Sequence, residues 1–136
     1  MLSSARLREP SLVERFEYYQ RLLRARLPVE ARQVKPDRLL THVPPGWKPV
    51  LLDERGKEMT SEAFARWIDG EQRLGTPGLA FLIGEADGLP ADVKAKVPDA
   101  VCLSRLTLPH QLCFVLLAEQ LYRASAILRG EPYHRA

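Results

Sequence analysis

Leu79-Ala-Phe-Leu-Ile83-Gly84-Glu-Ala-Asp-Gly88-Leu-Pro90-Ala-Asp-Val-Lys-Ala-Lys-Val97-Pro-Asp-Ala100-Val-Cys-Leu103 holds two short apolar runs with a helix-length segment between them. Residues 79–83 are apolar without a break and end at a glycine. That is too short for a buried helix and has the pattern of a strand covered on both faces. The stretch from Pro90 to Val97 reads as a short helix, and Ala100 to Leu103 as a second buried strand. A strand, a helix and a strand in so few residues make a crossover unit, and crossover units build parallel sheets.

Outward from this unit the same alternation continues. Toward the C-terminus, Pro109 opens a helix that runs to about Leu128 and stops at Gly130. Toward the N-terminus, Gly75-Thr76-Pro77-Gly78 separates the unit from a helix capped by Thr60 or Ser61, with Phe64, Trp67 and Ile68 on one face. Val50-Leu51-Leu52 is a brief buried strand closed by Asp53. A proline-punctuated connection with Pro44-Pro45-Gly46 precedes it, and Val29 to Val34 alternates apolar and polar as a short strand. Ser11-Leu-Val-Glu14 has the form of a capping box, and Leu12, Phe16, Tyr19, Leu23 and Leu27 recur at helical spacing, which predicts a helix over 12–27 ended by Pro28. The fold class is α/β: a Rossmann-like parallel sheet covered on both faces, in one domain over residues 1–136.

Composition sets the outer limits. The chain has 136 residues, 46% hydrophobic and 27% charged, as in an ordinary globular protein. The longest apolar run, Leu112 to Ala118, is far below the roughly 20 residues of a spanning helix, and the N-terminus shows no signal-peptide pattern. The expected location is the cytoplasm, with no membrane contact. Cys102 and Cys113 match no zinc or redox spacing and read as small buried hydrophobes, so neither a disulfide nor a metal is expected. Trp47 and Trp67 read as packing residues. Net charge is +3, distributed as +4 over residues 1–35, −3 over 36–104 and +2 over 105–136. A basic first helix is compatible with a polyanionic partner, and also with a plain solvated face.

In parallel sheets, ligands sit beyond the carboxyl ends of the strands. Three loops qualify: Leu52-Asp-Glu-Arg-Gly56, Gly84-Glu-Ala-Asp-Gly88 and Ser104-Arg-Leu-Thr-Leu-Pro109. None is a phosphate loop, since neither G-x-G-x-x-G nor G-x-x-x-x-G-K-[ST] occurs. The residues by themselves point to a small-molecule site whose ligand is open.

Four ordered motifs narrow the reading. Leu103-Ser-Arg-Leu-Thr-Leu-Pro-His110, Leu116-Leu-Ala-Glu-Gln-Leu-Tyr-Arg-Ala124 and Pro132-Tyr-His-Arg135 closely resemble the C-terminal signature of a bacterial family, and Phe81-Leu-Ile-Gly84 with Gly88-Leu89 and Leu52-Asp53 with Gly56-Lys57 resemble its upstream motifs. That family comprises the small SPOUT methyltransferases that modify N3 of a pseudouridine in 23S ribosomal RNA. The resemblance implies a deep C-terminal trefoil knot within about 79–136, a homodimer, and S-adenosylmethionine (SAM) as cofactor. By position, Leu52, Gly84, Leu103, Ser104, Arg105, Leu106, Thr107 and Leu108 would cradle the cofactor, and Arg123, Tyr133, His134 and Arg135 would form the catalytic cleft. The implied substrate is 23S rRNA within the assembled 70S ribosome.

The residue types suit that chemistry. An imide nitrogen must lose its proton before attacking a methyl sulfonium, so a base or an anion-stabilising cation is useful. His134 is a candidate base, Arg135 and Arg123 candidate cations, and Tyr133 a candidate stacking partner.

Several positions depart from the family pattern. Only Met1 to Ala5 precede Arg6-Leu-Arg-Glu-Pro10, so the first strand is stunted or the true start lies upstream, and a helix usual between Val34 and Val50 is missing. Glu85 replaces a glycine and either pairs with the cofactor's ammonium group or crowds it. Phe114 stands where an arginine is common, removing a candidate phosphate contact, and Ala136 where a charged residue is usual. The alternative to an active enzyme is therefore a knotted RNA- or ribosome-binding protein with lost or weak catalysis.

Overall fold

The computed structural model describes residues 1–135; the expectation attached to Ala136 lies outside them. In chain order it contains β1 (Leu2–Ser3), α1 (Pro10–Leu23), β2 (Arg32–Gln33), a 3₁₀ turn (Pro36–Arg38), β3 (Lys48–Glu58), α2 (Ser61–Arg73), β4 (Leu79–Ile83), α3 (Ala91–Lys96), β5 (Ala100–Cys102) and α4 (His110–Leu128). The strands form one sheet in the order β2-β1-β4-β3-β5, and every pairing is parallel. The α/β expectation holds.

Alternation along the strands divides the core into two layers, because successive side chains point to opposite faces. Phe81 and Ile83 of β4 pack with Val50, Val101, Phe16, Leu23, Phe64, Ile68, Phe114 and Leu117 under the layer formed by α1, α2 and α4. Ala80 and Leu82 face the other way, with Leu2, Leu51, Leu39, Leu89, Val93 and Val97, under α3 and the connection after β2. Each such buried Leu, Val or Phe contributes roughly 1.5–3 kcal/mol.

Several elements differ from the sequence expectation. The first helix begins at Pro10, its first helical residue, with Glu9 at the cap and no capping side chain, so Ser11 is inside the helix rather than at its cap. It ends at Leu23, earlier than the stop at Pro28, because Arg26 and Leu27 close a turn on the Leu23 carbonyl. The expected strand over 29–34 is reduced to Arg32–Gln33, which pairs with a two-residue β1. Cys102 is buried, but Cys113 is only half-buried. Trp67 packs against Phe64 and Phe81, whereas Trp47 is 40% exposed with its ring over Gly78. Phe114 is among the most deeply buried side chains, at 1% exposure, so this position points into the core in this chain.

The largest correction concerns β3. It does not stop at Asp53 but resumes after a bulge: Val101 of β5 pairs first with Leu52 and again with Lys57, which leaves Asp53–Gly56 looped out of the ladder. A side chain at Gly56 would lie 2.7 Å from the Ala100 carbonyl carbon and the Val101 nitrogen, so only glycine lets this loop lie against β5.

Candidate active site

The loops expected to hold a ligand gather at the carboxyl edge of the sheet. Asp53 Oδ1 accepts the Arg55 N–H at 2.9 Å and its Oδ2 lies 3.5 Å from Lys94 Nζ, which fixes the β3 bulge to α3. Gly84 leaves β4 so tightly that a Cβ there would sit 2.5 Å from the Gly88 carbonyl carbon. The turn is closed by the Gly88 N–H donating to the Glu85 carbonyl at 2.8 Å, with Gly88 at φ +85°. The Glu85 carboxylate accepts from Ser4 Oγ at 2.9 Å and is thereby directed toward the end of β1. After β5, the Leu106 N–H donates to Ser104 Oγ at 3.0 Å, and Leu106 is 77% exposed.

These residues fit a nucleoside-type cofactor. Leu52, Leu103 and Leu108 are partly buried apolar groups beside backbone whose glycines admit close approach, and Leu106 offers an uncovered apolar surface. Apolar walls with backbone donors and acceptors are what an adenosine moiety requires. Among the described residues, no three His, Cys, Asp or Glu side chains come together as a metal site, and no helix is long and apolar enough to cross a membrane.

The C-terminal tail folds back on α4 instead of fraying. Arg26 donates two parallel bonds to Glu131, at 2.9 and 3.0 Å, and its guanidinium lies over the Tyr122 ring. The Tyr133 ring meets Tyr122 edge-on at 4.8 Å, carries Arg123 over its face at 4.9 Å, and donates its hydroxyl to Glu119 at 3.1 Å. Arg123 sits one helical turn from Glu119 and donates to it through Nε at 2.9 Å, with NH2 at 2.8 Å. The His134 ring completes the cluster: Nδ1 is 3.1 Å from Arg123 NH1, and Nε2 is 2.7 Å from Glu62 Oε1 in the first turn of α2.

The electrostatics follow from these contacts. The hydrogen bond to the Glu119 carboxylate raises the Arg123 pKa further, so that group stays a cation. Burial, with the Glu119 charge behind it, pushes the Tyr133 phenol up, so its hydroxyl remains a donor at neutral pH. The hydrogen bond from His134 holds the Glu62 carboxyl below its usual range.

Arg123, Tyr133 and His134 are thus brought together, while Arg135 is exposed beside them. The cluster reaches the carboxyl side of the sheet through Glu62, which begins α2 just after β3. Arg105 lies 3.8 Å from Glu58 at the end of β3, and Glu62 follows four residues later at the start of α2. A separate cleft of about 720 Å³, lined by Trp47, Glu71, Thr76, Gly78 and Leu79, opens at the amino edge and reaches Arg26, the partner of Glu131, but Arg123, Tyr133, His134 and Arg135 do not line it. Sequence reasoning missed the residues that hold the tail: Glu62, Glu119, Arg26 and Glu131. Only the i, i+4 spacing of Glu119 and Arg123 carried a signal.

A parallel α/β domain with glycine-tight loops at its carboxyl edge and a docked aromatic-basic tail defines a class, and the comparisons supply its family. The chain belongs to the SPOUT methyltransferases: the model of that family, described as predicted SPOUT methyltransferase, matches residues 3–134. It is similar to the protein named ribosomal RNA large subunit methyltransferase H from Thiobacillus denitrificans, with 51% identity over 106 residues, 77% of this chain and 67% of that one. The protein of the same name from Ralstonia pickettii is 40% identical over 144 residues, 93% of this chain and 92% of that one. That alignment is longer than the 136 residues of this chain, so the relative carries segments with no counterpart here. Lpg2936 of Legionella pneumophila, a candidate methyltransferase solved with SAM bound, superposes at a TM-score of 0.43 with 12% identity over 88% of this chain and 50% of that one, too distant to bear on the fold.

Proposed function

We propose that this protein transfers a methyl group from SAM to N3 of a pseudouridine in 23S ribosomal RNA, acting on the assembled 70S ribosome in the cytoplasm. The single observation that carries the reading is the organised tail: Arg123, Tyr133 and His134 are held by a continuous hydrogen-bonded network that reaches Glu62 at the start of α2. Relatives named for large-subunit ribosomal RNA methylation support the substrate class.

In this reading Leu52, Gly84 and the stretch Leu103, Ser104, Arg105, Leu106, Thr107 and Leu108 hold the cofactor, which supplies an electrophilic methyl group on sulfur. Arg135 and Arg123 face the imide as it loses its proton and lower the cost of the anion. Tyr133, 38% exposed, offers its uncovered ring surface to the base. Positioning is the remaining contribution, on the order of 7 kcal/mol or more when reacting groups are pre-aligned. The C-terminal knot within about 79–136 and the homodimer belong to the same proposal. The exposed Tyr18 on α1 and Leu128 on α4 are apolar surface that self-association would cover. Methylation assays on ribosomes and on naked 23S rRNA test the substrate form: transfer confined to ribosomes is expected, and equal transfer to naked RNA would contradict it.

A further inference from the structure

We propose that Glu62 is a positioning residue that, with Arg123, locks His134 as the neutral Nε2–H tautomer, so that the His134 ring anchors the catalytic tail and is not the proton acceptor. The inference rests on the reading of that tail as active-site machinery. It comes from donor and acceptor inventory alone. An arginine nitrogen can only donate, so the 3.1 Å contact from Arg123 NH1 requires a lone pair on His134 Nδ1. An ionised carboxylate can only accept, so the 2.7 Å contact to Glu62 Oε1 requires the ring proton on Nε2. Protonating the ring would set an Nδ1–H against a guanidinium N–H. A free base needs an open lone pair, and here one ring nitrogen carries the proton while the other is filled.

The groups around the ring are consistent with this state. Arg123 faces it from α4 and Glu62 from α2, while Glu119 reaches it only through Arg123, its Oε1 accepting from both the Arg123 guanidinium and the Tyr133 hydroxyl. His134 therefore joins α2 to α4 through the tail. The His134 side chain is 17% exposed, so its ring is largely covered. Removing Glu62 frees the ring to turn and lets the adjacent Tyr133 and Arg135 drift from their places.

The test uses the full chain labelled with ¹⁵N-histidine. It has three histidines, His42, His110 and His134, and the His134 signals are those lost in His134→Gln. At neutral pH the expected spectrum shows a protonated Nε2 and an unprotonated Nδ1, a preference lost in Glu62→Ala. An Nδ1–H tautomer or an imidazolium overturns the proposal. In methyl transfer to ribosomes, Glu62→Ala should lower kcat by about 10–100-fold, leaving KM for ribosomes and SAM affinity within about threefold, since small misplacement costs rate rather than binding. Glu62→Gln keeps an oxygen that accepts from Nε2–H and should retain kcat within about fivefold of the parent. Wild-type kcat in Glu62→Ala, or a glutamine variant as impaired as alanine, overturns the positioning role. If the parent protein itself methylates no ribosomal RNA, the functional reading fails, while the ring-nitrogen spectrum still decides the tautomer.

Discussion

Phe114 fills the centre of the helical layer between α1, α2, α4 and the sheet, at 1% exposure. Truncating it to alanine leaves a cavity, and the expected cost is about 3–5 kcal/mol, read as a lower midpoint in urea unfolding. A loss below about 1 kcal/mol would show that the site collapses freely. Glu71, buried at the other end of α2, accepts from Lys48 Nζ and from Thr76 Oγ1, and these bonds hold its carboxyl below the usual range. Because its folded pKa lies below the unfolded value of about 4.3, its stabilising contribution is fully present above that value and is lost as pH falls through the folded pKa. The Tm gap between the parent and Glu71→Gln should therefore be widest near neutral pH and close below about pH 4; a gap that widens on acidification would contradict the assignment. At this scale the sequence offered Arg123, Tyr133 and His134 as candidates only through the motifs that resemble the family, since a mid-helix arginine and a terminal Tyr-His-Arg carry little signal by type. It was silent where a common residue matters only through its partner. Glu62 is an ordinary first-turn glutamate, and Arg26 one of several arginines in a basic stretch, until the tail lies against them. Phe114 shows the converse: motif comparison marked a lost phosphate contact, whereas its apolar side chain simply belongs to the core.

Among the elements, the turn after β4 admits a sharp test. Gly84→Ala would put a methyl group 2.5 Å from the Gly88 carbonyl carbon, forcing open the loop expected to hold the cofactor. SAM affinity should fall at least tenfold, about 1.4 kcal/mol, measured by titration calorimetry. Gly70→Ala is the matched control: nothing lies within 4 Å of its added carbon inside α2, so it should stabilise by about 0.5–1 kcal/mol and leave binding alone. Unchanged affinity in Gly84→Ala would remove this turn from the cofactor site. Ending the chain after Gly130 deletes the docked tail together with its bonds to Arg26, Glu119 and Glu62. Cofactor binding should survive and methyl transfer should vanish; full activity in the shortened chain would take the tail out of the mechanism. β4, α3, β5 and α4 were readable to within a residue or two because glycines and prolines bracket compact apolar patterns. The second half of β3 was not, since Asp53 to Glu58 is almost entirely polar and becomes strand only through backbone pairing with β5 across a bulge.

For the molecule as a whole, the sheet order β2-β1-β4-β3-β5 depends on contacts distant in sequence, which periodicity does not encode. What local pattern did establish was the parallel α/β class and the sheet edge at which the loops converge. The proposed homodimer predicts sedimentation at twice the 15.4 kDa chain mass, whereas a monomer at micromolar concentration would contradict it. The central claim is catalytic, and one experiment addresses it most directly: methyl transfer from labelled SAM to 70S ribosomes that lack the modification, followed by mapping of the labelled nucleotide. The account predicts label on N3 of a single pseudouridine in 23S rRNA. Cofactor binding with no label in 23S rRNA would contradict it.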